Sequence, residues 1–303
     1  MTILAVDIGG TKIAAARVRD DGEVDSSVAT AATPADQGPM SLVGAVIRVL
    51  ESLESSDVDL LAVASAGVID TDTGTVRAAT SSISDWIGFP LRDRLQDATG
   101  WRTVVLGDGQ AHGIGEAHYG TGRGHRSVVV LAVGTGIGGA FVQDGRPLLG
   151  AHHAGGHFGH LPVPQAVGMA CFCGSTGHLE AIGSGAGVLQ QYRVRSGNHS
   201  VTTTREVFDR AGTDAAAAAV VHQSGAAVGT AAAGLVNAFD PEIVIVTGGV
   251  ARTDDAWAMS LHAAYAQGVM PYLAATPVVI TQSHGLTALQ GVAHHARVSC
   301  GTT

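Results

Sequence analysis

The chain has 303 residues, of which 46% are hydrophobic and 14% charged, so there is ample apolar material for more than one core and disorder is excluded. Its 42 glycines show no three-residue period, which excludes a collagen-like fibre. A formal net charge of −9 argues against a general nucleic-acid binder, because that role needs a basic face.

The opening segment, ILAVDIGGTKIAAARV, reads as an apolar strand, a Gly-Gly turn after Asp7 and a second apolar strand. Residues Leu42 to Leu53 have helical spacing, and LLAVASAGVID is a buried strand that runs into a glycine turn. A polar stretch from Thr71 to Trp86 precedes a helix from Leu91 to Thr99. The short strand TVVLG then leads to Asp108 and another helix. The second half begins again with strand, glycine turn and strand in SVVVLAVGTGIGGAFVQDG, closed by Asp144-Gly145. A segment rich in His, Gly and Cys follows, from His152 to His178. An Ala-rich helix is expected from Asp214 to Phe239, a strand in DPEIVIVTGGV and a last helix from Ala288 to Val298. Glycine turns beside β-branched runs indicate an α/β protein, and the repeated strand–turn–strand opening suggests two lobes of related design.

Three cysteines, Cys171, Cys173 and Cys300, make a poor disulfide framework and fit a reducing compartment. The N-terminus lacks the pattern of an export signal, and no uninterrupted apolar run reaches the roughly 20 residues that span a bilayer. A cytoplasmic protein is expected, with neither a membrane nor a nucleic-acid partner.

Two glycine turns are candidates for phosphate contact. In the first, Gly9, Gly10, Thr11 and Lys12 follow Asp7; glycine lets backbone amides approach phosphate oxygens, and Thr11 adds a hydroxyl. Asp7 ends a buried strand, where a carboxylate needs a partner, and Mg²⁺ reached through water is a natural one. In the second turn, Gly134, Thr135, Gly136, Gly138 and Gly139 satisfy G-x-G-x-x-G, but the pattern opens into the apolar run AFV and not into a helix. That excludes a dinucleotide-binding unit. Taken alone, either turn could be an ordinary β-hairpin.

DIGGTK, VGTGIGG and the later C-x-C-G-x-x-G-x-x-E, in that order, resemble the ROK family of repressors, open reading frames and sugar kinases, and the resemblance covers essentially the whole chain. It implies the actin-like ATPase (ribonuclease H-like) fold, an α/β architecture of two lobes around a cleft. ATP, Mg²⁺ and a sugar are the expected ligands, and a homodimer the expected assembly. The lobes are expected at 1–118 and 119–287, the second carrying a zinc loop, with a C-terminal helix at 288–303 returning to the first. Family repressors carry a helix-turn-helix ahead of DIGGTK; here that motif begins at Asp7, and the kinase branch is expected.

The resemblance also implies roles. The two turns would bind ATP phosphates, with Gly248 and Gly249 near the adenosine. Asp108 matches the family's catalytic base, which accepts the proton of the sugar hydroxyl; on the residues alone it could equally be a helix N-cap. Gly107 stands where the family has a sugar-binding Asn. The expected sugar ligands are Gly67, Ser82, Asp108, His157 and Glu180, with His157 in place of the usual Glu, as in bacterial N-acetylmannosamine kinases. His157 could also be a plain surface histidine. Cys171 and Cys173 match the family's structural zinc ligands, His160 the upstream one, and His178 stands in place of the third Cys. Two Cys and two His form an acceptable tetrahedral set, the alternative being buried thiols with nearby histidines. The expected reaction is transfer of phosphate from ATP to the 6-hydroxyl of a hexose or N-acylhexosamine, N-acetylmannosamine first and glucose second. The rival is a sugar sensor without catalysis.

Overall fold

The structure is a computed structural model that describes residues 2–25, 27–53, 57–79, 83–251, 255–281 and 285–301. It divides into two compact units: Met1–Gly124, Gly145–Gly156 and His284–Thr303 form one, His125–Asp144 and His157–Ser283 the other.

The first unit starts with β1 (Ile3–Ile8) and β2 (Lys12–Val18), an antiparallel pair, followed by β3 (Ala29–Ala32) and α1 (Pro39–Glu51). Pro39 occupies the first turn of α1, where its missing N–H costs nothing, and Leu42, Val43, Val46, Val49 and Leu50 make its buried stripe. Next come β4 (Leu60–Ser65), the small hairpin β5 (Val68–Asp70) and β6 (Thr75–Ala78), α2 (Leu91–Thr99), β7 (Arg102–Gly107) and α3 (Asp108–His118). The sheet order is β3-β2-β1-β4-β7, with β1, β4 and β7 parallel. Parallel strands covered on both faces need apolar residues throughout, and β4 is buried at all six positions. The segment read from sequence as a polar stretch carries β6 and the fully buried Trp86, whose Nε1 donates to Ala66 O at 3.1 Å.

The second unit repeats the pattern. β8 (Ser127–Val133) and β9 (Ile137–Gln143) form an antiparallel hairpin. Asp144 and Gly145, both at positive φ (48° and 77°), then turn the chain back into the first unit, where the short β10 (Arg146–Pro147) lies. The His- and Cys-rich segment leads to α4 (Glu180–Gly183), α5 (Gly185–Ser196), α6 (Thr204–Arg210) and α7 (Ala215–Phe239). β11 (Ile243–Thr247), α8 (Asp255–Gly268) and β12 (Val278–Ile280) complete it, and its sheet runs β9-β8-β11-β12 with β8, β11 and β12 parallel. Asp214 caps α7 by accepting from the amides of Ala216 and Ala217. By length and composition α7 could cross a bilayer, yet 67% of its most apolar window is buried, with α8 packed along it: it is the core helix of this unit.

The chain ends in α9 (Thr287–Ser299), which lies in the first unit against β1, β4 and α3. Its approach to α3 is very close. A Cβ on Gly291 would stand 1.8 Å from Ala111 O, and one on Gly115 would stand 2.0 Å from Thr287 O. This contact fixes the helix whose first residue is Asp108.

Candidate active site

In the first unit, Gly9 N donates to Lys12 O at 3.0 Å and closes the turn between β1 and β2. Thr33, just past β3, ties down two of the turn's carbonyls: its hydroxyl donates to Gly9 O at 2.7 Å and its amide to Thr11 O at 3.1 Å. With the carbonyls turned inward, the amides of Gly10 and Thr11 meet no acceptor among the described residues. That is the arrangement of an anion-binding concavity. Thr11 and Lys12 are exposed. Burial pushes the Asp7 carboxyl up to about 6, and the Lys12 charge opposes the shift.

Asp108 follows β7 directly. Gly107 holds the N-cap position in extended conformation, so Asp108 is not the cap but the first residue of α3. Its Oδ1 accepts from Gly109 N at 2.7 Å. Burial, and then the charge of Asp7, push its carboxyl up to about 7. A carboxylate poised near neutrality where a strand passes directly into a helix is suited to general-base work. Gly67, at φ 102°, follows β4, with its carbonyl 3.4 Å from where a Cβ on Gly107 would lie. Ser82 lies outside the described residues.

The segment before His157 is held by side chains of the same unit. Gln110 Nε2 donates to the carbonyls of His153 (3.2 Å) and Gly155 (2.9 Å). The His153 ring meets Thr71 Oγ1 at 3.1 Å and Asp70 Oδ1 at 3.6 Å. Asp70, Asp72 and His153 thus come together like metal ligands. However, the Arg77 guanidinium on Asp70 holds that carboxyl down to about 2, and the amides of Asp72 and Thr73 take its other oxygen. Asp70 therefore keeps no lone pair for a cation.

In the second unit, the turn after β8 is braced by the start of α5. Gly185 N donates to Gly134 O at 2.8 Å, and Ala186 N donates to Thr135 O at 3.1 Å. Gly134 N donates to Gly136 O at 2.9 Å. Thr135 and Gly136 are exposed, and their amides meet no acceptor among the described residues. Both glycine turns therefore share one device: carbonyls tied back, amides outward. Glu180 is buried, and its Oε2 accepts from Ile137 N at 2.8 Å, which locks the turn to α4. Gly248, at φ 107°, has no room for a side chain, because a Cβ would stand 2.4 Å from Val133 O; Gly249 is exposed beside it.

His160, Cys171, Cys173 and His178 present ligand atoms that all lie within 4.8 Å of one another. Cys171 Sγ is 3.8 Å from His160 Nδ1, and Cys173 Sγ is 3.3 Å from His178 Nδ1. A tetrahedral ion with bonds of about 2.0–2.3 Å requires such spacing, so the residues fit zinc. Burial pushes the Cys171 thiol up to about 11, a state that a bound cation would reverse by displacing the proton. His157 is half-buried, with its ring stacked beside that of His160 at 6.3 Å. A metal here would brace the loop; it leaves no open position for chemistry.

The ROK family pattern matches residues 3–297. The chain belongs to the ROK family. Among its relatives, the glucokinase of Halalkalibacterium halodurans is 31% identical over 270 residues, 83% of this chain and 81% of that one. The N-acetylmannosamine kinase of Shigella flexneri is 33% identical over 252 residues, 82% and 84% of the two chains. The crystal structure of a ROK family glucokinase from Streptomyces griseus, in complex with glucose and AMPPNP, superposes with a TM-score of 0.84 at 28% identity, covering 98% of this chain and 100% of that one. The fold is the actin-like ATPase fold of these ROK proteins, and the chain is a sugar kinase of the family.

Sequence reading did not find two residues of this ROK chain that support the site. Thr33 sits 24 positions from the Gly9 carbonyl it holds, in a segment with no motif. Gln110 looks like any polar residue of a helix; only the fold shows that it is buried and clamps a segment 43 positions away. The one available signal for Gln110 was its place two residues after Asp108.

Proposed function

We propose that this ROK kinase transfers the γ-phosphate of ATP to the 6-hydroxyl of a hexose or N-acylhexosamine, with N-acetylmannosamine its first substrate. The carrying observation is Asp108, a carboxyl raised to about 7 at the head of α3. It takes the proton of the primary hydroxyl as that oxygen bonds to the γ-phosphorus, and the bond to the bridging oxygen breaks to leave ADP. The outward amides of Gly10, Thr11, Thr135 and Gly136 donate to phosphate oxygens, Gly9 and Gly134 shape those turns, and Lys12 adds charge. Gly248 and Gly249 lie with the adenosine. Asp7 holds Mg²⁺ through water, and the ion supplies charge neutralisation when bound. Gly67, Ser82, His157 and Glu180 orient the sugar. Zinc on His160, Cys171, Cys173 and His178 is structural. The enzyme works in the cytoplasm as a homodimer.

The preference for N-acetylmannosamine rests on His157, a group that can donate as well as accept where a carboxylate would only accept. Glucose is the second reading, favoured by the identity with the Halalkalibacterium enzyme. ADP release with ATP and Mg²⁺ against N-acetylmannosamine, N-acetylglucosamine, glucose and mannose separates the two, with Asp108→Asn as control. Turnover on no sugar, or turnover that survives in Asp108→Asn, would sink the reading in favour of a sensor or another base.

A further inference from the structure

Gln110 is 2% exposed, and its amide is only half used. Its two N–H bonds to the carbonyls of His153 and Gly155 fix which end is nitrogen. Its Oε1 is buried and meets no donor. A buried acceptor without a donor costs roughly 1–3 kcal/mol, which a well-packed helix start has no reason to carry.

That oxygen faces the position where Gly107 lacks a side chain. A Cβ on Gly107 would stand 3.2 Å from Gln110 Oε1 and 3.4 Å from Gly67 O, the two residues nearest to it outside its chain neighbours. Two neutral acceptors thus flank the backbone of the residue next to Asp108, itself an acceptor when ionised. A cluster of acceptors repels phosphate oxygens, which carry no hydrogen, and calls for a neutral donor. A polyol supplies one.

We propose that Gln110 Oε1, with Gly67 O beside it, accepts a hydrogen bond from a non-reacting ring hydroxyl of the sugar seated over Gly107. Gln110 is then a sugar-contacting residue of this chain, and the glycine at 107 is the opening that lets the hydroxyl reach it. This deepens the kinase reading and rests on it.

The test is a cycle between protein and substrate. Wild type, Gln110→Met and Gly107→Ala are assayed for kcat/KM on the sugar that wild type uses best. The same three are assayed on its 3- and 4-deoxyfluoro analogues, whose fluorine cannot donate. Gly107 has φ −63°, so alanine fits its backbone, and the added methyl, 3.2 Å from Gln110 Oε1, covers that oxygen. In wild type one analogue should lose about 10-fold or more relative to the parent sugar. In both variants that loss should shrink to within about 2-fold, because the acceptor is gone or covered. Equal analogue losses in all three proteins would overturn the inference while the kinase reading stands: Gln110 would then only clamp residues 153–155, and such a clamp lowers parent and analogue alike. A wild type that turns over no sugar would overturn both.

Discussion

Asp108, which begins α3 directly after β7, and Asp7, at the end of β1 in the same sheet as β7, are coupled: burial first, and then the Asp7 carboxylate, move Asp108 from 3.8 to about 7. A carboxyl whose folded pKa lies above its unfolded value holds its proton more tightly when folded. Its contribution to stability is complete below about pH 4 and is lost as pH rises through 7. Asp108→Asn keeps the shape and removes the charge. In metal-free buffer the variant should melt at least about 2 °C above wild type at pH 8, and with it at pH 4. Melting curves across that range check the sign; a variant less stable at pH 8 would mean that Asp108 is stabilised as a carboxylate.

The same shift predicts the pH profile of activity. A base must be ionised to accept a proton, so kcat/KM for the sugar should rise with pH and level off above a midpoint near 7. A flat profile between pH 5.5 and 8.5 would remove Asp108 from the proton-transfer step.

Thr33 holds the first glycine turn through its hydroxyl and its amide. Thr33→Val removes only the hydroxyl bond to Gly9 O, at nearly unchanged volume. If the turn binds phosphate, KM for ATP should rise about 5-fold, the worth of one neutral hydrogen bond, with kcat within 2-fold of wild type. Initial rates at saturating sugar decide it; a change in kcat alone would place Thr33 in another role.

Local chemistry was legible in the sequence, and long-range service was not. The hairpins at Asp7–Lys12 and Val133–Ile137 announce themselves because strand, glycine turn and strand are contiguous. His160, Cys171, Cys173 and His178 could be read together because one short loop holds all four. By contrast, α5 opens with Gly185-Ala186-Gly187, which reads as a turn. Gly185 is glycine for close approach: a Cβ there would stand 3.1 Å from Gly134 O. The buried face of α8, Trp257, Ser260, Leu261 and Tyr265, has helical spacing, but the exposed Ala256, Met259 and Ala263 on its other side blur the contrast that marks a stripe. Thr33 and Gln110 have no local signature because their partners are brought to them by the fold.

Two glycine-to-alanine changes should act in opposite directions. Alanine is favoured over glycine inside a helix by about 1 kcal/mol. Gly234 lies exposed on α7 with nothing within 4 Å of its missing Cβ, so Gly234→Ala should stabilise by about 0.5–1 kcal/mol. A Cβ on Gly291 would stand 1.8 Å from Ala111 O, so Gly291→Ala should force α9 off α3 and cost about 1–3 kcal/mol net. Because α3 carries Asp108, the second variant should also lose activity at temperatures where it is still folded. Denaturation and rate measurements on the pair check both statements; a neutral Gly291→Ala would show that the two helices separate at no cost.

Zinc gives the last prediction. Denatured protein should release about one zinc per chain, and Cys171→Ser should release none, because that buried thiol is one of four ligands with no spare to replace it. His178 lies 3.3 Å from Cys173 Sγ, close enough for either imidazole or thiolate to complete the set. A third thiolate would add negative charge around the cation. His178→Cys should therefore slow zinc loss to a chromogenic chelator by roughly 10-fold or more at pH 7.5. Ligation needs the Cys171 thiol, raised to about 11 without metal, to give up its proton. Zinc loss should accordingly quicken as pH falls. Zinc release indifferent to both pH and His178→Cys would place the ion elsewhere and leave the cluster as two thiols beside two histidines.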